Sequence, residues 1–168
     1  KTLYFRPFEI AAENFLGVRA AKRAEYRVIA SPVGPYFTGG IKPVSIWIAL
    51  DSASAGKYGT GEAKTGGNYA ASLISQNEAY ANGCSQVLFL DADTHTTIEE
   101  FGGMNIFLVY KNGPVVTPAL DGTILHGITR DSIIQLLRDR GVEVQERQVT
   151  LSELRDGYNS GAISEVFA

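Results

Sequence analysis

Apolar residues alternate with polar ones over residues 2–12 and 25–30, which predicts two strands joined by a loop at Asn14-Phe15-Leu16-Gly17. Residues 31–43 hold three prolines and three glycines and read as a connector with a domain junction, not as an element. Val44-Ser45-Ile46-Trp47-Ile48-Ala49-Leu50 is almost continuously apolar, the pattern of a strand buried on both faces. A glycine-rich loop follows. Residues 68–82 then carry apolar side chains at Tyr69, Leu73, Ala79 and Tyr80, a helix stopped by Gly83.

Residues 86–90 predict a second buried strand, running into a polar turn at 91–97. Residues 104–110 and 115–117 flank Asn112-Gly113, a pair suited to a tight hairpin turn. Ile133, Ile134, Leu136 and Leu137 mark an amphipathic helix from Thr129 to Gly141, with Thr129 as its N-cap and Asp131 in its first turn. Residues 142–149 alternate like a strand. Thr150-Leu151-Ser152-Glu153 forms a capping box for a last short helix, and residues 165–168 begin another strand. Strands and helices interleave without internal repeats, so the fold class is mixed α/β (α+β).

Composition narrows the function. The chain has 168 residues, 45% hydrophobic and 20% charged, enough for one domain with a core plus part of another. Its net charge of -3 argues against nucleic-acid and anionic-membrane partners. No apolar run approaches the length of a membrane span. The single cysteine, Cys84, is expected to be a buried, inert thiol, consistent with a reducing, cytoplasmic setting. His95 and His126 are too far apart in sequence to suggest a metal site and read as surface or capping residues. Lys1 opens on a strand pattern and Ala168 closes on one. The chain is therefore expected to be a fragment lacking both ends.

The chemistry concentrates at Lys64, in Gly59-Thr60-Gly61-Glu62-Ala63-Lys64-Thr65-Gly66-Gly67-Asn68-Tyr69. Glycine-rich backbone approaches a ligand closely, and a lysine fixed in such a loop can face a pocket, shed its proton and attack a carbonyl carbon. Most lysines in such loops are simply solvated. A nucleotide-binding P-loop would need glycine at Tyr58 and Ala63, and a dinucleotide fingerprint would need it at Lys64, so both phosphate-loop readings fail.

Five motifs recur in order. They are Tyr4-Phe5-Arg6-Pro7, Ser31-Pro32-Val33-Gly34-Pro35-Tyr36-Phe37, Lys64 with Gly66-Gly67-Asn68-Tyr69, Glu99-Glu100-Phe101-Gly102-Gly103-Met104-Asn105-Ile106-Phe107, and Gly127-Ile128-Thr129-Arg130-Asp131-Ser132. Together they resemble the branched-chain amino-acid aminotransferases, fold-type IV enzymes that use pyridoxal 5'-phosphate (PLP).

The resemblance implies a large PLP-binding domain over residues 44–168, a connector over 34–43, and the C-terminal part of a smaller α/β domain over 1–33. It implies that Lys64 carries PLP as a Schiff base and acts as general base, and that its pKa is lowered. Glu100 would pair with the pyridine nitrogen, Tyr69 with the ring hydroxyl oxygen, and Gly127, Ile128 and Thr129 with the phosphate at a helix N-terminus. Tyr4, Arg6, Tyr36 and Gly103 would line the substrate pocket, Arg6 meeting the side-chain carboxylate of glutamate or 2-oxoglutarate.

The implied reaction exchanges the amino group of leucine, isoleucine or valine with 2-oxoglutarate, and the implied assembly is a homodimer. His126 stands where relatives often have proline. A phosphate-binding arginine and a Gly-Thr-Ala type turn of the family would fall outside residues 1–168, so the chain alone is expected to bind PLP weakly or not at all and to be inactive. A D-amino-acid aminotransferase or an aminodeoxychorismate lyase of the same group is the alternative activity.

Overall fold

The computed structural model describes residues 2–35, 40 and 42–168, and divides the chain into two compact units, Lys1–Pro43 and Val44–Ala168. In the first unit, β1 (Thr2–Ala11) and β2 (Ala24–Val33) form an antiparallel ribbon, with Tyr4 opposite Ser31 and Arg6 opposite Ile29. β2 therefore runs three residues beyond the expected strand and takes in Ser31-Pro32-Val33. Proline is compatible with such a ribbon because each of its strands has one open edge, toward which a residue donates no ladder bond.

The second unit builds two sheets around a shared core. β3 (Ile46–Ala49) lies parallel to β4 (Gln86–Leu90), and β5 (Ile98–Phe101) adds antiparallel to β4. The second sheet has the order β8-β7-β6-β9, from β6 (Phe107–Tyr110), β7 (Val115–Thr117), β8 (Val144–Glu146) and β9 (Ile163–Phe167). Leu88, Leu90 and Ile98 of the first sheet pack with Leu108, Val116 and Ile163 of the second. The opposite face of β4, through Val87 and Phe89, packs with Ala79 of helix α1 (Gly66–Ala81). Period-two alternation thus buries both faces of β4, as its apolar run predicts.

A parallel β3–β4 pair needs a crossover, which α1 supplies. The long loop from β3 to the start of α1 carries Lys64 and emerges at the C-terminal end of β3. In open α/β sheets that end is where ligands bind.

Helix α2 (Ile128–Asp139) packs Ile134 against Phe107 and Val115, and α3 (Leu151–Ser160) opens on Thr150, whose hydroxyl accepts from the Glu153 N–H. The hairpin at Asn112-Gly113 forms as expected: Leu108 faces Val116, and Asn112 takes the positive φ of 60°.

Several expectations are corrected. The buried face of α1 is Ser72, Ser75 and Ala79, whereas Leu73 and Tyr80 are 59% and 61% exposed. Close approach of α1 to the sheet leaves room only for small side chains, and Ser75 meets Ser52 hydroxyl to hydroxyl at 2.6 Å. The N-cap of α2 is Gly127, not Thr129, and the first helical bond runs from the Asp131 N–H to the Gly127 carbonyl. β5 was not expected as a strand, because Glu99-Glu100 breaks its apolar pattern. Cys84 is half-buried rather than fully buried. His126 is exposed, as a surface residue should be, but His95 is half-buried with φ 52° and caps nothing.

Candidate functional site

The Lys64 loop is shaped by its own polar groups. The Ala63 N–H bonds the Thr60 carbonyl, closing a turn, and the Asn68 amide donates to the carbonyls of Thr60 and Ala63. Those bonds fasten the turn to the first residues of α1. Gly61 is buried against the segment that precedes α2: a Cβ there would stand 2.3 Å from the Thr123 carbonyl oxygen. The loop meets that segment again where Glu62 pairs with His126 at 3.2 Å.

From this loop the Lys64 Nζ donates to the Tyr69 hydroxyl at 2.9 Å and lies 5.1 Å from the centre of its ring. Lys64 itself is exposed, so the enclosed, desolvated amine expected from the sequence is not what the structure presents. The glycines beside it explain this: a Cβ on Gly66 or Gly67 would meet nothing within 4 Å, so the described residues raise no wall there.

Glu100 reaches the same cleft from β5. Its carboxylate accepts from the Ser54 hydroxyl at 3.0 Å, and the neighbouring Leu125 N–H favours its charged form. Burial raises its pKa above the ordinary carboxylate range, while Ser54, Leu125 and the nearby Lys64 charge pull the other way. Leu125 also accepts, through its carbonyl, from the Asn105 amide at 3.0 Å, and Asn105 lies so close to Gly127 that a Cβ there would be 2.1 Å from the Asn105 Oδ1. Contacts therefore run unbroken from Glu100 through Leu125 and Asn105 to the start of α2.

Tyr69, Glu100 and Gly103 line one shallow cleft, partly open to solvent. Gly127 joins it through Asn105. Ile128 and Thr129 are exposed at the first turn of α2, where their N–H groups precede the first helical bond.

Tyr4 and Arg6 belong to the first unit, two positions apart on β1. They share a face, with the Arg6 guanidinium 5.4 Å from the Tyr4 ring centre. Tyr36 lies outside the described residues. Ser54, Asn68 and the Leu125 backbone were missed by the sequence reading. Asn68 and Asn105 at least stood within quoted motifs, but nothing in the sequence links Ser54 to a glutamate so far along the chain.

This donor set suits PLP. An amine beside a phenol, a carboxylate sheltered enough to hold a proton on a ring nitrogen, and a helix N-terminus for an anion match the aldehyde, hydroxyl, pyridine nitrogen and phosphate of that cofactor.

Comparisons with known proteins agree. Over 168 residues the chain is 52% identical to the probable branched-chain-amino-acid aminotransferase of Streptomyces coelicolor, covering 100% of this chain and 46% of that protein. It is 49% identical to branched-chain-amino-acid aminotransferase 2 of Bacillus subtilis, covering 99% and 46%. The branched-chain amino acid aminotransferase of Escherichia coli superposes with a TM-score of 0.83 at 30% identity, covering 98% of this chain and 53% of that one. The chain thus spans about half the length of the relatives it matches. Residues 12–167 match the family described as amino-transferase class IV, and the chain belongs to that family.

Proposed function

We propose that the whole protein carrying this chain is a PLP-dependent branched-chain amino-acid aminotransferase, exchanging amino groups between leucine, isoleucine or valine and 2-oxoglutarate. One observation carries this reading: Tyr69 of α1 and Glu100 of β5 line a single cleft, the Lys64 amine reaches the Tyr69 hydroxyl, and Asn105 in the same lining bonds the Leu125 carbonyl just before α2. Relatives at about half identity carry the same activity in their names. A solved relative at 31% identity is described with pyridoxamine 5'-phosphate.

PLP, when bound, supplies a ring that accepts the electron pair left at the substrate Cα. The residues of this chain do the rest. Lys64 holds the cofactor aldehyde carbon through its amine. The same amine, when not holding the cofactor, would take the proton from the substrate Cα. Glu100, its carboxylate held by the Ser54 hydroxyl, would keep a proton on the pyridine nitrogen. Tyr69 hydrogen-bonds the ring hydroxyl oxygen and orients the Lys64 amine from the side. The N–H groups at Gly127, Ile128 and Thr129 receive the phosphate. The dipole there contributes roughly 0.3–1 kcal/mol, too little to hold a cofactor without further ligands.

Tyr4, Arg6 and Tyr36 are proposed as substrate contacts, with Arg6 for a side-chain carboxylate. Gly103, where a Cβ would meet nothing within 4 Å, leaves room for a branched side chain. Residues 1–33 are proposed as part of a smaller domain and 34–43 as its connector. A cytoplasmic homodimer completes the reading. Leu73, Ile74 and Tyr80 stand 59%, 70% and 61% exposed on α1, an apolar face of the kind subunit contacts cover.

Rates with L-leucine, D-alanine and aminodeoxychorismate on the whole protein test the proposal. Turnover of L-leucine alone is expected. Preference for either of the other two assigns the alternative chemistry of the group.

A further inference from the structure

A second cleft, of about 300 Å³, opens beside the turn that follows β4, within the second unit. Neighbouring residues of a strand point to opposite faces. Glu100 lines the first cleft and Glu99 the second. Asp91, Asp93 and Asp121 line it too, against one cation, Lys57.

Most of that negative charge is already satisfied. Asp93 pairs with Lys57 at 3.2 Å. Asp91 accepts the N–H groups of Thr94, Thr96 and Thr97, so its carboxylate belongs to its own turn.

Glu99 and Asp121 are different. The Thr123 hydroxyl lies 2.6 Å from the Glu99 Oε1 and 2.8 Å from the Asp121 Oδ1. A hydroxyl has one proton to donate, so two carboxylates compete for a single bond. Glu99 is 4% exposed, and its Oε2 is buried without any hydrogen-bond partner. A buried acceptor left unmade is costly, and it points to a donor that belongs there.

The walls identify the donor. Among the described residues no group of three or more histidine, cysteine, aspartate or glutamate side chains is placed to hold a metal ion. The cleft is roomier than a single water needs, and Ile98, Pro118 and Ile124 give it an apolar side. A primary ammonium offers three donors on one atom and an alkyl body for the apolar wall.

We propose that this cleft binds a small primary alkylammonium, whose nitrogen donates to the carboxylates of Glu99 and Asp121. Asp91, Asp121 and Glu100 all bear on Glu99 with the same sign, and burial holds its pKa up at about 7. Because the ionised carboxylate is the acceptor, binding strengthens as pH rises through that value.

The test is titration of the full chain with n-propylammonium chloride, followed by calorimetry and by the thermal unfolding midpoint. Tetramethylammonium, potassium and magnesium chlorides at matched ionic strength serve as controls. Saturable binding is expected for propylammonium alone, weaker by about tenfold or more well below the Glu99 pKa than well above it. Glu99→Gln and Asp121→Asn are each expected to weaken it by about tenfold or more. Asp121 is exposed, so its variant keeps the test open should Glu99→Gln not fold. An equal response to any control cation, no saturable response, or undiminished binding in Asp121→Asn overturns the proposal.

Discussion

Gly61 and Glu99 show how single residues set the limits of this site. Gly61→Ala places a methyl group on the Thr123 backbone carbonyl, which cannot swing aside as a side chain would. It is expected to destabilise the chain by roughly 1–3 kcal/mol in urea unfolding, whereas Gly66→Ala, in open space, stays near neutral. Glu99 works through pH. Its native pKa of about 7 lies above the ordinary 4.5, so the native state binds more protons than the unfolded state between those values. The stabilisation is complete below the ordinary value and is lost as pH rises toward 7, a fall of about 3 kcal/mol at most. Urea midpoints across that window should decline in the parent chain and flatten in Glu99→Gln. An undiminished slope in the variant would reassign it to Glu100, whose pKa is also raised.

At this scale motifs singled out Lys64, Tyr69, Glu100 and Gly127, the residues proposed for the site. Ser54, Leu125 and Thr123 were not legible, because their roles are bonds to residues far away in sequence. The exposure of Lys64 was also beyond sequence, since a glycine-rich loop is equally compatible with a wall or with solvent.

Among the elements, those whose signals are local were read well. The capping box of α3 and the Asn112-Gly113 hairpin both formed, since each depends on residues within a few positions. Thr150→Ala is expected to cost about 1 kcal/mol through the lost Glu153 N–H bond, read as a lowered thermal midpoint. Where tertiary packing decides, the reading failed. The apolar residues of α1 face outward because close contact with the sheet selects Ser72, Ser75 and Ala79 instead. Glu99-Glu100 hid β5, because one carboxylate faces each cleft and neither faces the core. Arg130 in α2 is 4% exposed, bonded to the Pro118 carbonyl and to Glu146, while Arg138 reaches the same Glu146 at 49% exposure. Arg130→Ala is therefore expected to destabilise by several kcal/mol and Arg138→Ala by under about 1 kcal/mol. Equal losses in unfolding experiments would show that burial does not separate the two.

For the molecule as a whole, sequence alone conveyed the mixed α/β class. It did not convey that two sheets share one core, because strand pairing across long separations leaves no local pattern. The chain covers about half of its relatives' length. On that ground the chain alone is expected to show weak or absent PLP binding, and the whole protein strong binding.

Reduction with borohydride in the presence of PLP, followed by peptide mapping of the whole protein, tests the central assignment most directly. The cofactor is predicted on Lys64. A label on another lysine, or none, would contradict it.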